Sequence, residues 1–301
     1  MRKIIIDADP GTDDFIAISL AIKSNIFDIL GITTVEGNCT LDNAIKNTFK
    51  VLDMCKRNDI EVYKGLTNHE LGTDSAEDVH GTNGLGEVEY TPIDREVNSK
   101  SAIDFIIDTI NNNPGEVTLV CLGPLTNIAA AIKKDHSFVK NTKELVIMGG
   151  SRFLGNITPY AEFNFHKDPK AVDIVIGAGF ENVTVIGWDR ATRTALLPEY
   201  EGRLKNSNNE LMKFIYDITR TTAERDKDAY GGAVISDAVV IGYLIDPSII
   251  TLEDADMDII RHGKKAGQSD IELTNKDSNC KYVVKIDSEK FYDLFFDVLA
   301  R

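Results

Sequence analysis

The chain has 301 residues, 43% hydrophobic and 27% charged, with 48 acidic against 33 basic side chains and a formal charge of −15. That size and balance fit a soluble globular protein with ample core. The negative charge argues against nucleic-acid and anionic-membrane partners, which need a basic face, and no apolar run reaches membrane-spanning length. Cys39, Cys55, Cys121 and Cys280 lie far apart and form no C-x-x-C pair, which argues against a zinc site. Met1-Arg2-Lys3 leads into only three isoleucines before an aspartate, so no export signal, reduced thiols and a cytoplasmic setting are expected.

Ile4, Ile5 and Ile6 predict a buried strand, because β-branched residues suit a packed, pleated surface. Helical spacing follows over 13–23, with Thr12 as the expected N-cap. A strand is expected at 27–35, an amphipathic helix at 40–58 and a strand at 60–65. The stretch 66–98, rich in Gly, Asp, Glu and Thr, reads as a long irregular loop, of the kind that serves as a flap. Helix 101–113, strand 116–123, helix 124–135 opening on proline, strand 144–150, helix 171–179 and strand 182–189 continue the alternation. Helices at 209–226 and 236–246, two or three strands within 255–287 and a last helix at 288–299 complete the chain. No repeat or linker interrupts it, so one domain over 1–301 is expected. The alternation predicts an α/β fold with a doubly wound, mostly parallel open sheet, helices on both faces and a more helical C-terminal part. Ligands of such sheets sit beyond the C-terminal strand ends, at a topological switch point.

The first strand ends in "DADPGTDD" (7–14), four carboxylates in eight residues. A calcium loop of the EF-hand type fails at three of its four diagnostic positions, which hold Gly11, Thr12 and Ile18. The D-x-D-x-[T/V] phosphatase motif meets Gly11 in its last place. "GAGFEN" (177–182) lacks the third glycine of a dinucleotide fingerprint and precedes a strand. What remains is a turn forced by Pro10 and Gly11, returning Asp13 and Asp14 toward Asp9. Oxygen-only ligation of this kind suits Ca²⁺ or Mg²⁺. The plainer alternative is that Asp13 and Asp14 only complement a helix dipole.

"DADPGTDD" is followed in order by "TTVEGN" (33–38), "HGTNGLG" (80–86), "LGPLTNIA" (122–129), "IMGG" (147–150) and "NITPYAEFNFHKDP" (156–169). With these segments the sequence resembles the nucleoside hydrolases, the inosine-uridine-preferring type, over essentially its whole length. The resemblance implies Ca²⁺-dependent hydrolysis of the N-glycosidic bond of ribonucleosides to ribose and free base. It implies that Asp9, Asp14, Asp237 and the Thr126 carbonyl hold the metal, with Asp9 also taking a proton from the attacking water. Asp13, Asn38, Asn156, Glu162 and Asn164 are implied for the ribose hydroxyls. His80, Met148 and Tyr230 join the substrate-binding set, and His80 and Asn164 join Asp9 as catalytic candidates. A homodimer or homotetramer is implied as the assembly. Plainer roles exist for several of these residues: Asn38 as a cap of the helix near Thr40, Asn156 as a turn residue, and Glu162 and Asn164 on one face of an alternating, strand-like stretch.

The family commonly places histidine before the aspartate that maps to Asp237, to protonate the departing base; this chain has Ser236. Three readings follow: His80, Tyr230 or water assists the base; the substrate is another N-riboside whose base leaves with less help; or the protein is a riboside-binding sensor with weak hydrolase activity.

Overall fold

The computed structural model describes residues 1–67, 76–276 and 278–301; His69, within the expected flap, lies outside them. The strands are β1 (Arg2–Ala8), β2 (Phe27–Thr34), β3 (Val62–Lys64), β4 (Val117–Cys121), β5 (Glu144–Met148), β6 (Val183–Ile186), β7 (Ala195–Leu196), β8 (Ala233–Val234), β9 (Ile250–Ile259), β10 (Ser269–Leu273) and β11 (Cys280–Ile286). Nine of them form one sheet in the order β10-β9-β11-β6-β5-β4-β1-β2-β3, and β7 pairs with β8 separately. From β11 to β3 all neighbours are parallel; only β9 runs against β11 and β10.

Alternation along β1 explains the two layers. Ile4, Ile6 and Ala8 face one core with Phe15, Ile215, Val239 and Phe291, while Ile5 faces the other with Ile106, Ile128 and Val172. Both faces are covered, so the central strands are apolar throughout. The chain passes from β1 outward to β2 and β3, then returns to place β4 on the other side of β1. The switch point therefore falls between β1 and β4, where the turn after Ala8 meets Gly123 to Thr126.

Several sequence expectations shift on the structure. Gly11, not Thr12, caps the first helix (Thr12–Ser24), and its N–H goes to Asp14 Oδ2 at 3.1 Å. The capping carboxylate lies three residues on, so a threonine cap is not needed. The second helix (Leu41–Met54) stops before Lys56, whose φ of 57° leaves helical space. Glu162 and Asn164 are not on a strand. Glu162 caps a short helix (Phe163–Lys167), and its carboxylate takes the N–H groups of Asn164 and Phe165. Thr40 caps the second helix in place of Asn38. The helix foreseen at 209–226 runs to Tyr230 and ends on Gly231 at φ 86°, a left-handed position glycine fills without strain. Within 66–98, Glu77–His80 is helical.

Candidate active site

The turn between β1 and the first helix is drawn inward by backbone and amide donors. Asp14 takes the N–H of Asp9 at 3.2 Å on one oxygen and the Asn38 side-chain amide at 2.9 Å on the other. Asp9 Oδ2 takes the Asn38 N–H at 2.7 Å. Among the described residues, its other oxygen, Oδ1, is buried without a hydrogen-bond partner. Two glycines make room for that carboxylate: a Cβ on Gly37 would fall 2.0 Å from Oδ2, and one on Gly123 2.5 Å from Oδ1. A buried carboxylate oxygen left bare costs several kcal/mol by order of magnitude unless a ligand meets it.

Asp237 enters from the start of the helix Ser236–Ile245. Among the described residues, oxygens of Asp13, Asp14 and Asp237 lie within 4.8 Å of one another. This differs from the set that the resemblance implies, since Asp13 stands in it while Asp9 is joined to it through Asp14. Burial holds Asp9 and Asp237 well above the ordinary carboxylate range, with the charges of Asp14 and Asp13 respectively adding to it. Asp14 is pushed up to about 7 by burial and by the Asp13 charge. Such mutual repulsion in a dry site is what a hard cation relieves, and an all-oxygen donor set suits Ca²⁺ or Mg²⁺. Thr126 opens its helix nearby, its hydroxyl bound to Asp168 at 2.9 Å. Asn127, the next residue, bridges Asp7 at 2.8 Å and the Thr34 carbonyl at 3.0 Å, which fixes that turn against β1 and β2.

Above the carboxylates lies a cavity of about 350 Å³. Of the residues that the sequence singled out, Asp13, Asn38, His80, Met148, Asn156, Glu162, Asn164, Tyr230, Ser236 and Asp237 line it; Asp9, Asp14 and Thr126 stand outside its wall. Glu162 is nearly fully buried, and desolvation raises it to about 7 against the N–H bonds of Asn164, Gly150 and Phe165. The Asn164 amide nitrogen donates to the Leu122 carbonyl at 2.7 Å and touches Met148 Sδ at 3.4 Å, which fixes the side chain in the cavity wall. Asn156 is exposed at the rim and accepts the Phe163 N–H at 2.8 Å. His80 Nδ1 accepts the Thr12 N–H at 3.2 Å, and the Thr12 hydroxyl lies 3.1 Å from it. A backbone N–H can only donate, so the neutral ring carries its proton on Nε2. A Cβ on Gly11 would meet Nδ1 at 2.7 Å, so this approach needs glycine there.

Sequence reading missed Trp188, Thr222, Arg225 and Asp226, which also line the cavity. Thr222, Asp226 and Tyr230 are spaced by four along the helix Glu210–Tyr230, one stripe of one face. The spacing was available in the sequence; nothing there said that this face meets a cavity.

An open, mostly parallel sheet with an acidic, partly unsatisfied pocket at its switch point is an α/β architecture suited to holding a hard cation beside a small ligand. The chain belongs to the inosine-uridine preferring nucleoside hydrolase family, whose profile matches residues 4–293. It is 35% identical over 300 residues to the pyrimidine-specific ribonucleoside hydrolase RihB of Escherichia coli, covering 97% of this chain and 95% of the relative. Among solved structures it is similar to the plant nucleoside hydrolase PpNRh1 (TM-score 0.94, 32% identity, 99% and 98% of the two chains). A purine-preferring ribonucleoside hydrolase from Gardnerella vaginalis is also close in fold (TM-score 0.92, 29% identity, 99% and 98%). The chain is thus an enzyme of the ribonucleoside hydrolase class.

Proposed function

We propose that this enzyme hydrolyses the N-glycosidic bond of ribonucleosides with a calcium ion held by Asp9, Asp14, Asp237 and the Thr126 carbonyl. The observation that carries the reading is the bare, buried Asp9 Oδ1 beside the Asp13, Asp14 and Asp237 cluster. When bound, the ion grips sugar hydroxyls and makes water more acidic.

The protein groups supply the rest. Asp13, Asn38, Asn156, Glu162 and Asn164 hold the ribose, and Asp9 takes a proton as water adds to the anomeric carbon. The C–N bond breaks, its electron pair leaves with the base nitrogen, and the base gains a proton. Positive charge grows on the sugar meanwhile, and nearby carboxylates and amide oxygens stabilise it as it develops. Ser236 is hydrogen-bonded to Asp13 and is no acid near neutral pH, so proton delivery to the base falls to His80 and Tyr230, which both line the cavity. A homodimer or homotetramer is part of the proposal, to be read by sedimentation.

The test is product analysis on a panel of ribonucleosides, with and without phosphate. Free base and free ribose in both conditions support the reading. Ribose 1-phosphate, or binding of ribosides without turnover, favours phosphorolysis or the sensor reading instead. The relatives differ in the base their names specify, so base preference is a separate question.

A further inference from the structure

The helix Glu210–Tyr230 lays Thr222, Arg225, Asp226 and Tyr230 along the cavity. If the carboxylate cluster takes the sugar, as proposed above, the base falls to this wall. The polar groups there differ in what they have left to offer. The Thr222 hydroxyl donates to the Val79 carbonyl at 3.3 Å, and the Tyr230 ring meets Trp188 edge-on with centroids 5.8 Å apart. Asp226 is 5% exposed. Arg225 Nε holds its Oδ1 at 2.7 Å, while the Val234 N–H approaches Oδ2 at 3.5 Å, the outer limit of a hydrogen bond. A carboxylate so placed keeps strong acceptor capacity and offers no donor when ionised. The exposed guanidinium beside it offers donors and no acceptor.

We infer that Asp226 selects ribosides whose base carries a ring N–H beside a carbonyl, as uracil and hypoxanthine do, with Arg225 presenting the carboxylate and facing that carbonyl. The inference rests on the riboside reading above. A base with a bare ring nitrogen at that edge, as in cytidine, sets a lone pair against the carboxylate. A site that hydrogen-bonds a substrate group rejects analogues lacking it far more strongly than an apolar pocket rejects a methylene.

The experiment compares kcat/KM for uridine against 3-methyluridine and inosine against 1-methylinosine, and measures uridine and cytidine side by side. The wild-type enzyme is expected to favour each N–H base over its methylated partner by about tenfold or more. Asp226→Ala should bring those ratios toward one through loss on the unmethylated substrate. Asp226→Asn, which adds an amide donor, should raise cytidine relative to uridine. A purely structural Asp226 would lower all substrates together and leave the ratios unchanged. Equal wild-type rates on each methyl pair overturn the inference even if neither variant folds. Calorimetric binding of the same pairs to the wild type separates the two claims. Discrimination in binding without any ribose release upholds Asp226 and contradicts the hydrolase reading, whereas ribose release without discrimination does the reverse.

Discussion

Ser236 Oγ donates a hydrogen bond to Asp13 Oδ2 at 2.9 Å, both residues being buried in the cavity wall. The side chain at the position where the family resemblance implies a histidine thus points at the carboxylate proposed to hold the sugar. Ser236→Ala removes a donor to a charged group, an interaction of about 1.5–3 kcal/mol, or roughly ten- to a hundredfold in affinity. The expected outcome is a KM for uridine raised within that range, with kcat changed less. A fall in kcat alone would place Ser236 in the bond-breaking step.

With no imidazole at 236, activated substrates should gain less from restoring one than natural nucleosides do. In Ser236→His, kcat/KM for inosine or uridine is expected to rise relative to a nitrophenyl riboside, whose leaving group needs no acid. Steady-state kinetics on both substrates checks this. An unchanged ratio, with natural nucleosides already fast in the wild type, assigns proton delivery to another group, and His80→Ala is then the next variant.

The glycines around Asp9 make a steric prediction. Gly37→Ala would set a methyl 2.0 Å from Asp9 Oδ2, and Gly123→Ala one 2.5 Å from Oδ1. Neither glycine has a positive φ, so the effect is crowding, chiefly of the carboxylate, with Pro124 Cδ and Val35 Cγ1 each 3.0 Å from the respective methyl. A displacement near 1 Å costs about a hundredfold in rate, and each variant should lose at least that much turnover. Gly202→Ala, whose methyl meets nothing within 4 Å, is the control and should match the wild type.

How far these positions were legible in the sequence follows from their physics. The strand–turn–helix around Asp7 to Asp14 was readable because β-branched residues, Pro-Gly and a carboxylate pair each leave local signals. The switch point followed from the alternation of strands and helices. Gly11 as cap was missed because Thr12 carries the commoner capping chemistry, while the actual partner, Asp14, acts from three residues on. The strand-like alternative for Glu162 and Asn164 fails because the two sit at a helix start, and a five-residue helix is too short to show a period in the sequence. Asp226 was invisible for a different reason: an acidic residue on a charged helix looks solvated until the helix is docked, and docking is a tertiary fact.

The carboxylates also set a pH dependence. Burial pushes Asp7, Asp14 and Glu162 each up to about 7 in the cation-free protein. Unfolded, these groups ionise near their ordinary values of about 4. Between about pH 4 and pH 7 the folded chain therefore binds more protons than the unfolded one, and its stability falls as pH rises through that window. A divalent ion requires the ionised ligands, so its stabilising effect grows over the same window. Melting curves in chelator should show Tm declining from about pH 4 to about pH 7, while the gain in Tm on adding Ca²⁺ increases. A gain independent of pH would mean that the ion binds elsewhere.

Asp9→Asn keeps the side chain's shape and one oxygen but cannot accept a proton. Loss of a general base costs about a hundred- to ten-thousandfold in rate, and kcat should fall within that range while riboside affinity changes little. Single-turnover kinetics together with equilibrium binding separates the two.

Ribose release is expected to depend on one metal ion at the Asp9, Asp14 and Asp237 carboxylates. The direct measurement is release of reducing sugar from uridine and inosine by protein stripped with chelator and then titrated with Ca²⁺. Stripped protein should release no sugar, and one equivalent of ion per chain should restore full activity. Undiminished release in excess chelator, or no release from either nucleoside once one equivalent is bound, would contradict this dependence.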